Sequence, residues 1–156
     1  MKAFLTKGVG MHVEKIVAFH NALKSAGIEK FNLVKVTSIL PPGCEIVEKG
    51  NAIFSLSPGS IVHCVMIEDY CRKGEKSAIA LSVAYLKESD KVGCVAEYKA
   101  KSLKEAKERS SICAKEMLKA IYEGIDEKDI MEKTEGIEIE GVDTWVCGVV
   151  ALVFAP

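Results

Sequence analysis

Apolar positions along the chain divide into two stretches of helical spacing and a series of strand-like runs. Val13, Ile16, Val17, Phe19 and Leu23 recur at helical intervals and predict a helix from about Val13 to Ala26, with Gly27 as its C-terminal stop. A second helix is predicted from about Leu103 to Glu123. Its stripe is Leu103, Ala106, Ser110, Cys113, Met117 and Ile121, Ser102 and Glu105 fit a capping box, and Gly124 follows. The other apolar runs read as strands. Phe31 to Leu40 ends at Pro41-Pro42-Gly43. Ser60 to Tyr70 and Ser77 to Leu86 flank Cys71–Lys76, which reads as a hairpin loop. Val92 to Lys99 follows a charged turn, Gly136 to Glu140 alternates apolar and acidic residues, and Trp145 to Phe154 reads as a buried closing strand. Seven or so strands with two helices, not in strict alternation, predict an α+β fold with largely antiparallel sheet.

Composition narrows the class. The 156 residues suit one compact domain, 1–156, and a 49% apolar content suffices for a core. A formal charge of −1 lacks the basic footprint of a nucleic-acid binder. The start has no apolar stretch long enough for a signal peptide. The longest apolar run, Val146 to Ala155, is half of the roughly 20 residues a membrane helix needs. We therefore expect a cytoplasmic protein with no membrane or nucleic-acid partner. The six cysteines form no C-x-x-C pair and mostly sit in apolar runs, so they read as reduced, buried thiols rather than metal ligands.

The segment with chemical content is Phe31-Asn32-Leu33-Val34-Lys35-Val36-Thr37-Ser38-Ile39-Leu40-Pro41-Pro42-Gly43. Alone, a Thr-Ser pair before a proline turn closes local hydrogen bonds. Together with Phe19–Ile28 upstream, and with Ala78–Lys101 downstream around Glu97-Tyr98, the segment resembles the self-cleavage region of archaeal-type pyruvoyl-dependent arginine decarboxylases. The resemblance covers roughly residues 13 to 121.

That resemblance implies a four-layer α/β/β/α sandwich, assembled as a homotrimer or a multiple of trimers with active sites between subunits. It implies self-cleavage between Thr37 and Ser38. Ser38 Oγ attacks the Thr37 carbonyl, the resulting ester eliminates, and position 38 becomes a covalent pyruvoyl group. A hydroxyl nucleophile needs a polarised carbonyl and donors for the oxyanion, and Asn32 matches the family position that assists. The pyruvoyl group would form a Schiff base with a small amino-acid substrate, arginine by resemblance, giving agmatine. Glu97 matches the general acid that reprotonates the α-carbon. Its apolar strand predicts burial and a raised pKa.

Three places depart from the pattern. The segment Thr6 to His12, read as the first loop, departs from the family's Ser- and Thr-containing loop. His20 stands where the family carries an acid that helps to bind the guanidinium, and a cationic head group favours a carboxylate. Three readings stay open: another acid such as Glu14 or one from a neighbouring subunit takes over, the substrate is a different amino acid, or His20 is a buried helix residue. On this ground we expect arginine to be a poor substrate. Thr37 stands where the family often has Ser, and its β-branch restricts the backbone at the cleavage point. An unprocessed paralogue serving as a structural or regulatory subunit is the alternative.

Overall fold

The computed structural model describes residues 1–88 and 90–156. The strands among them are β1 (Lys2–His12), β2 (Asn32–Lys35), β3 (Ile39–Leu40), β4 (Glu45–Ile46), β5 (Ile61–Cys71), β6 (Lys76–Tyr85), β7 (Gly93–Ala100), β8 (Met131–Glu140) and β9 (Trp145–Ala155). The α-helices are α1 (Lys15–Ala26) and α2 (Leu103–Ile121). The strands form two sheets, ordered β2-β5-β9-β1-β4 and β3-β7-β6-β8. Pairing is antiparallel except at β1–β4 and β2–β5. Three apolar layers separate the four structural ones. Phe4, Ala22, Cys64, Val149 and Val153 pack under α1; Leu40, Val65, Leu81, Val95 and Leu152 lie between the sheets; Ala84, Cys94, Ala96, Ala114 and Leu118 pack under α2. The chain is thus the α/β/β/α sandwich expected.

Several element assignments need correction. Residues 6–12, read as a loop, belong to the eleven-residue strand β1 between β9 and β4. Glycines disguise that strand in the sequence. A Cβ added at Gly8 or Gly10 would overlap the backbone of α1 at Ala18, Ala22 and Ala26, so the helix lies directly on glycine. The same close packing replaces the predicted α1 stripe. The buried side chains are Ala18, Ala22, Leu23 and Ala26, whereas Val13 and Ile16 are 67% and 72% exposed. The loop Cys71–Lys76 is no hairpin: β5 pairs with β2 and β9, while β6 pairs with β7 and β8, so the loop arches from one sheet to the other.

In α2 the predicted stripe is half right. Ala106 and Ser110 are buried, but the helix continues inward through Ala114 and Leu118. Ser102 Oγ accepts from the Glu105 N–H at 3.2 Å, so the cap forms as expected. Ser110 meets Ser82 at 2.7 Å, and Ser82 meets Thr134 at 2.7 Å, a buried hydroxyl chain that ties α2 to β6 and β8.

Candidate functional site

The predicted strand Phe31–Leu40 is two strands in two sheets. β2 runs parallel to β5 at the edge of the first sheet, and the Val36 N–H extends that ladder to the Cys64 carbonyl at 2.9 Å. Two residues later the chain has changed sheets: the Ser38 carbonyl accepts from the Val95 N–H at 2.8 Å, and β3 continues antiparallel to β7 with Ile39 opposite Cys94 and Leu40 opposite Gly93. Thr37 is the bridge. Its carbonyl accepts from the Ile39 N–H at 2.9 Å, which closes a three-residue γ-turn on Ser38. Among the described residues no non-glycine has positive φ, so this is the inverse, unstrained form. The turn Pro41–Cys44 then reverses the chain, with Cys44 N–H donating to Pro41 at 3.2 Å and Gly43 at φ 69°, a conformation that suits glycine.

Burial alternates along β3 and its approach. Leu40 is buried against the sheet–sheet core, Ile39 is exposed, Ser38 is half-buried and Thr37 is exposed. Ser38 therefore shares a face with Leu40 and with its cross-strand neighbour Val95. Glu97 lies two residues along β7 on that same face, about 7 Å further on at strand spacing. Its partner across the sheet is Leu81, itself in the sheet–sheet core. The structure thus brings Ser38, Thr37 and Glu97 to one edge of the sandwich.

Burial pushes the Glu97 carboxyl above its ordinary range, with the charge of Lys35 pulling the other way. Lys35 itself is ion-paired with Glu68. Asp69 accepts from Ser77 and from Lys99 at 2.8 Å. Burial acts to raise its pKa, but those donors hold it below the usual carboxylate value. Sequence reasoning passed over Lys35, Glu68, Asp69 and Lys99. The signal was present: Lys35 interrupts the apolar run from Leu33 to Leu40, and Glu68-Asp69 interrupts the apolar strand β5.

Two predicted residues lie elsewhere. Asn32 begins β2, and its side-chain amide donates to the Gly59 carbonyl at 2.7 Å. Five strand positions separate it from Thr37, about 15 Å. Within one chain it does not reach the cleavage point. His20 lies on the exposed side of α1, so the reading of it as a buried helix residue is overturned. The cysteines meet expectation in part. Cys64, Cys71, Cys94 and Cys147 are buried, and Cys44 and Cys113 half-buried. Burial pushes Cys64 up to about 11 and Cys147 to about 12, which keeps these thiols protonated.

A group generated at position 38 fits this edge. The Ser38 side of the Thr37–Ser38 peptide is anchored through its own carbonyl to β7, beside Glu97, and the Thr37 side is attached to the other sheet through Val36.

Relatives support the same chemistry. The sequence matches the family described as pyruvoyl-dependent arginine decarboxylase over residues 2–156. It is 42% identical over 120 residues to pyruvoyl-dependent arginine decarboxylase 2 of Archaeoglobus fulgidus, 76% of each chain. It is 37% identical over 145 residues to the pyruvoyl-dependent arginine decarboxylase of Methanococcoides burtonii, 92% of this chain and 74% of that one. Identity rises to 60% over 65 residues with pyruvoyl-dependent arginine decarboxylase 1 of Archaeoglobus fulgidus, 42% of this chain and 41% of that one. With a serine held at a sheet-to-sheet crossover beside a buried glutamate, the chain belongs to the pyruvoyl-dependent arginine decarboxylase family, decarboxylases that carry a covalent pyruvoyl group.

Proposed function

We propose that the chain cleaves itself between Thr37 and Ser38 and then decarboxylates arginine to agmatine, with Glu97 as the proton donor. The observation that carries this reading is the crossover: the Thr37–Ser38 peptide is pinned to a different sheet on each side, with Glu97 on the Ser38 face. A pyruvoyl carbonyl at position 38 supplies an electrophile for the substrate α-amine and a sink for the electrons left when carbon dioxide departs. The chain's own part is positional. Val95 fixes residue 38 through its carbonyl, and Glu97, whose carboxyl burial pushes above its ordinary range, delivers a proton to the substrate carbon on its side of the edge.

The site is completed by a second copy of the chain, in a homotrimer or a multiple of trimers. Val34 and Val36 lie on the same face of β2, and with Ile39 they are 38–41% exposed around the crossover, while nearby Ile61 is 70% exposed. An apolar rim of this kind calls for a cover. In such an assembly Asn32 and His20 act on the neighbour's Thr37–Ser38 edge, which accounts for their distance from it in their own chain. Among the described residues no helix is long and apolar enough to cross a membrane. Buried, unpaired thiols suit the reducing cytoplasm in which we place the protein.

Intact mass tests the first step. Purified protein should split into fragment 1–37 and a large fragment blocked at position 38, and Ser38→Ala should leave one uncleaved chain. Incubating the split protein with arginine, lysine, ornithine and aspartate, and measuring carbon dioxide, tests the second. Release from arginine above the other three is the expected result: membership of a family named for arginine outweighs the expectation of a poor arginine substrate drawn from His20. Release from aspartate alone would assign His20 to an acidic head group and sink the arginine reading.

A further inference from the structure

We propose that the Ile39 N–H is the donor that stabilises the oxyanion on Thr37 during self-cleavage. The inference deepens the proposed function and rests on Thr37–Ser38 being the bond that breaks.

The γ-turn is the observation that carries it. The Thr37 carbonyl oxygen is the atom that gains negative charge when Ser38 Oγ adds to its carbon. That oxygen already accepts from the Ile39 N–H at 2.9 Å. A backbone donor aimed before reaction at the oxygen that will become charged needs no reorganisation, and a hydrogen bond to an ionised acceptor is stronger than one to a neutral carbonyl. The turn is held from both ends. Val36 is tied to Cys64 at 2.9 Å and Ser38 to Val95 at 2.8 Å, so the peptide between them is fixed by two different sheets. Asn32 does not supply this contact in its own chain, since its amide serves Gly59. Prolines occupy positions 41 and 42, beyond the turn, while Ile39 carries the N–H that the turn uses.

The step balances without a co-reactant. Ser38 Oγ bonds to the Thr37 carbonyl carbon, and the electron pair of the carbonyl moves onto its oxygen, to which the Ile39 N–H donates a hydrogen bond. The pair then returns, the bond from that carbon to the Ser38 nitrogen breaks, and the hydroxyl proton ends on that nitrogen. The product is the Thr37 ester of Ser38 with a free amine.

The test replaces the amide at Ile39 by an ester in the full-length chain, using the α-hydroxy acid counterpart of isoleucine. The side chain is kept and only the N–H is lost. Cleavage followed by intact mass should slow by about 10²–10³-fold. Ile39→Val, which keeps the N–H, should cleave within a few-fold of the unmodified chain. Fragment mass separates scission after Thr37 from hydrolysis of the introduced ester after Ser38. Hydroxylamine locates the defect in a variant whose circular dichroism matches the unmodified chain: a slowed first step leaves no accumulated Thr37 ester for it to trap, whereas a slowed elimination lets that ester build up. Ile39→Pro also lacks the N–H and carries the same test if the ester variant does not fold. Cleavage at the unmodified rate in either folded variant, or a trappable ester building up in it, would overturn the assignment. An unmodified chain that never splits after Thr37 would instead sink the underlying reading of Ser38.

Discussion

Lys35 pulls on the Glu97 carboxyl from outside its ion pair: its partner is Glu68, yet its charge opposes the desolvation that raises Glu97. Lys35 is thus placed to set the pH at which Glu97 gives up its proton. Removing it in Lys35→Met should raise the Glu97 pKa further. A proton donor is active while protonated, so the fall in decarboxylation on the alkaline side should move to higher pH in the variant. An unmoved alkaline limb would mean that Glu97 is not the titrating donor.

Glu97 also has a stability signature of definite sign. A carboxyl whose folded pKa is raised stabilises the fold below its unfolded pKa, and that contribution is lost as pH rises through the folded value. Glu97→Gln should therefore melt higher than the parent at neutral pH, with the difference closing towards pH 4, while decarboxylation is abolished. Melting curves at the two pH values check the first part and carbon dioxide release the second.

Asp69 behaves in the opposite sense. Its folded pKa is lowered, so its contribution is present above the unfolded pKa and is lost as pH falls through the folded one. Lys99→Met or Ser77→Ala should raise that folded value and let acid unfolding begin at higher pH. An acid titration followed by circular dichroism reads the shift, and coincidence with the parent curve would assign the Asp69 contacts no weight.

If Asn32 works across a subunit boundary, its loss in one chain can be made good by another. Asn32→Ala alone should cleave slowly. Refolding it together with Ser38→Ala, which contributes an intact Asn32, should restore cleavage of the Asn32→Ala chain. Failure of the mixture to cleave faster would confine Asn32 to its own chain, where its hydrogen bond to Gly59 is worth about 1 kcal/mol.

The helix–strand contact at α1 should be intolerant of any added atom. Gly10→Ala places a methyl group into the backbone of Ala18 and Ala22. A loss of about 1–3 kcal/mol is expected from overpacking, measurable by urea denaturation.

Much of this arrangement was legible in the sequence. The strands β5, β6, β7 and β9 fall within a residue or two of their apolar runs, and the caps at Ser102 and Gly27 form as read, with Gly27 at φ 76°. The chemistry-bearing segment was found through its resemblance to a family, since its residue types alone read as a local turn. What stayed hidden were features set by long-range pairing. Nothing local in Phe31–Leu40 tells that its two halves belong to different sheets, because both halves carry the same β-rich composition. The glycines of β1 and the alanines of α1 also mislead a reading based on large apolar residues: this helix–strand contact is made by the smallest side chains. For the same reason Asn32 and His20 could be named from the pattern but not placed.

The crossover has one more outcome for the life of the molecule. Once the Thr37–Ser38 bond is cut, β1, α1 and β2 belong to a separate 37-residue peptide, although β1 is paired with β9 along all eleven of its residues. The uncut chain keeps β1 tethered to β9 when it unfolds. The cut protein that unfolds must find its lost peptide again by collision, against dilution and aggregation. On the proposed cleavage, folding precedes cutting, and a cut molecule that unfolds loses the tether that would bring its two parts back together.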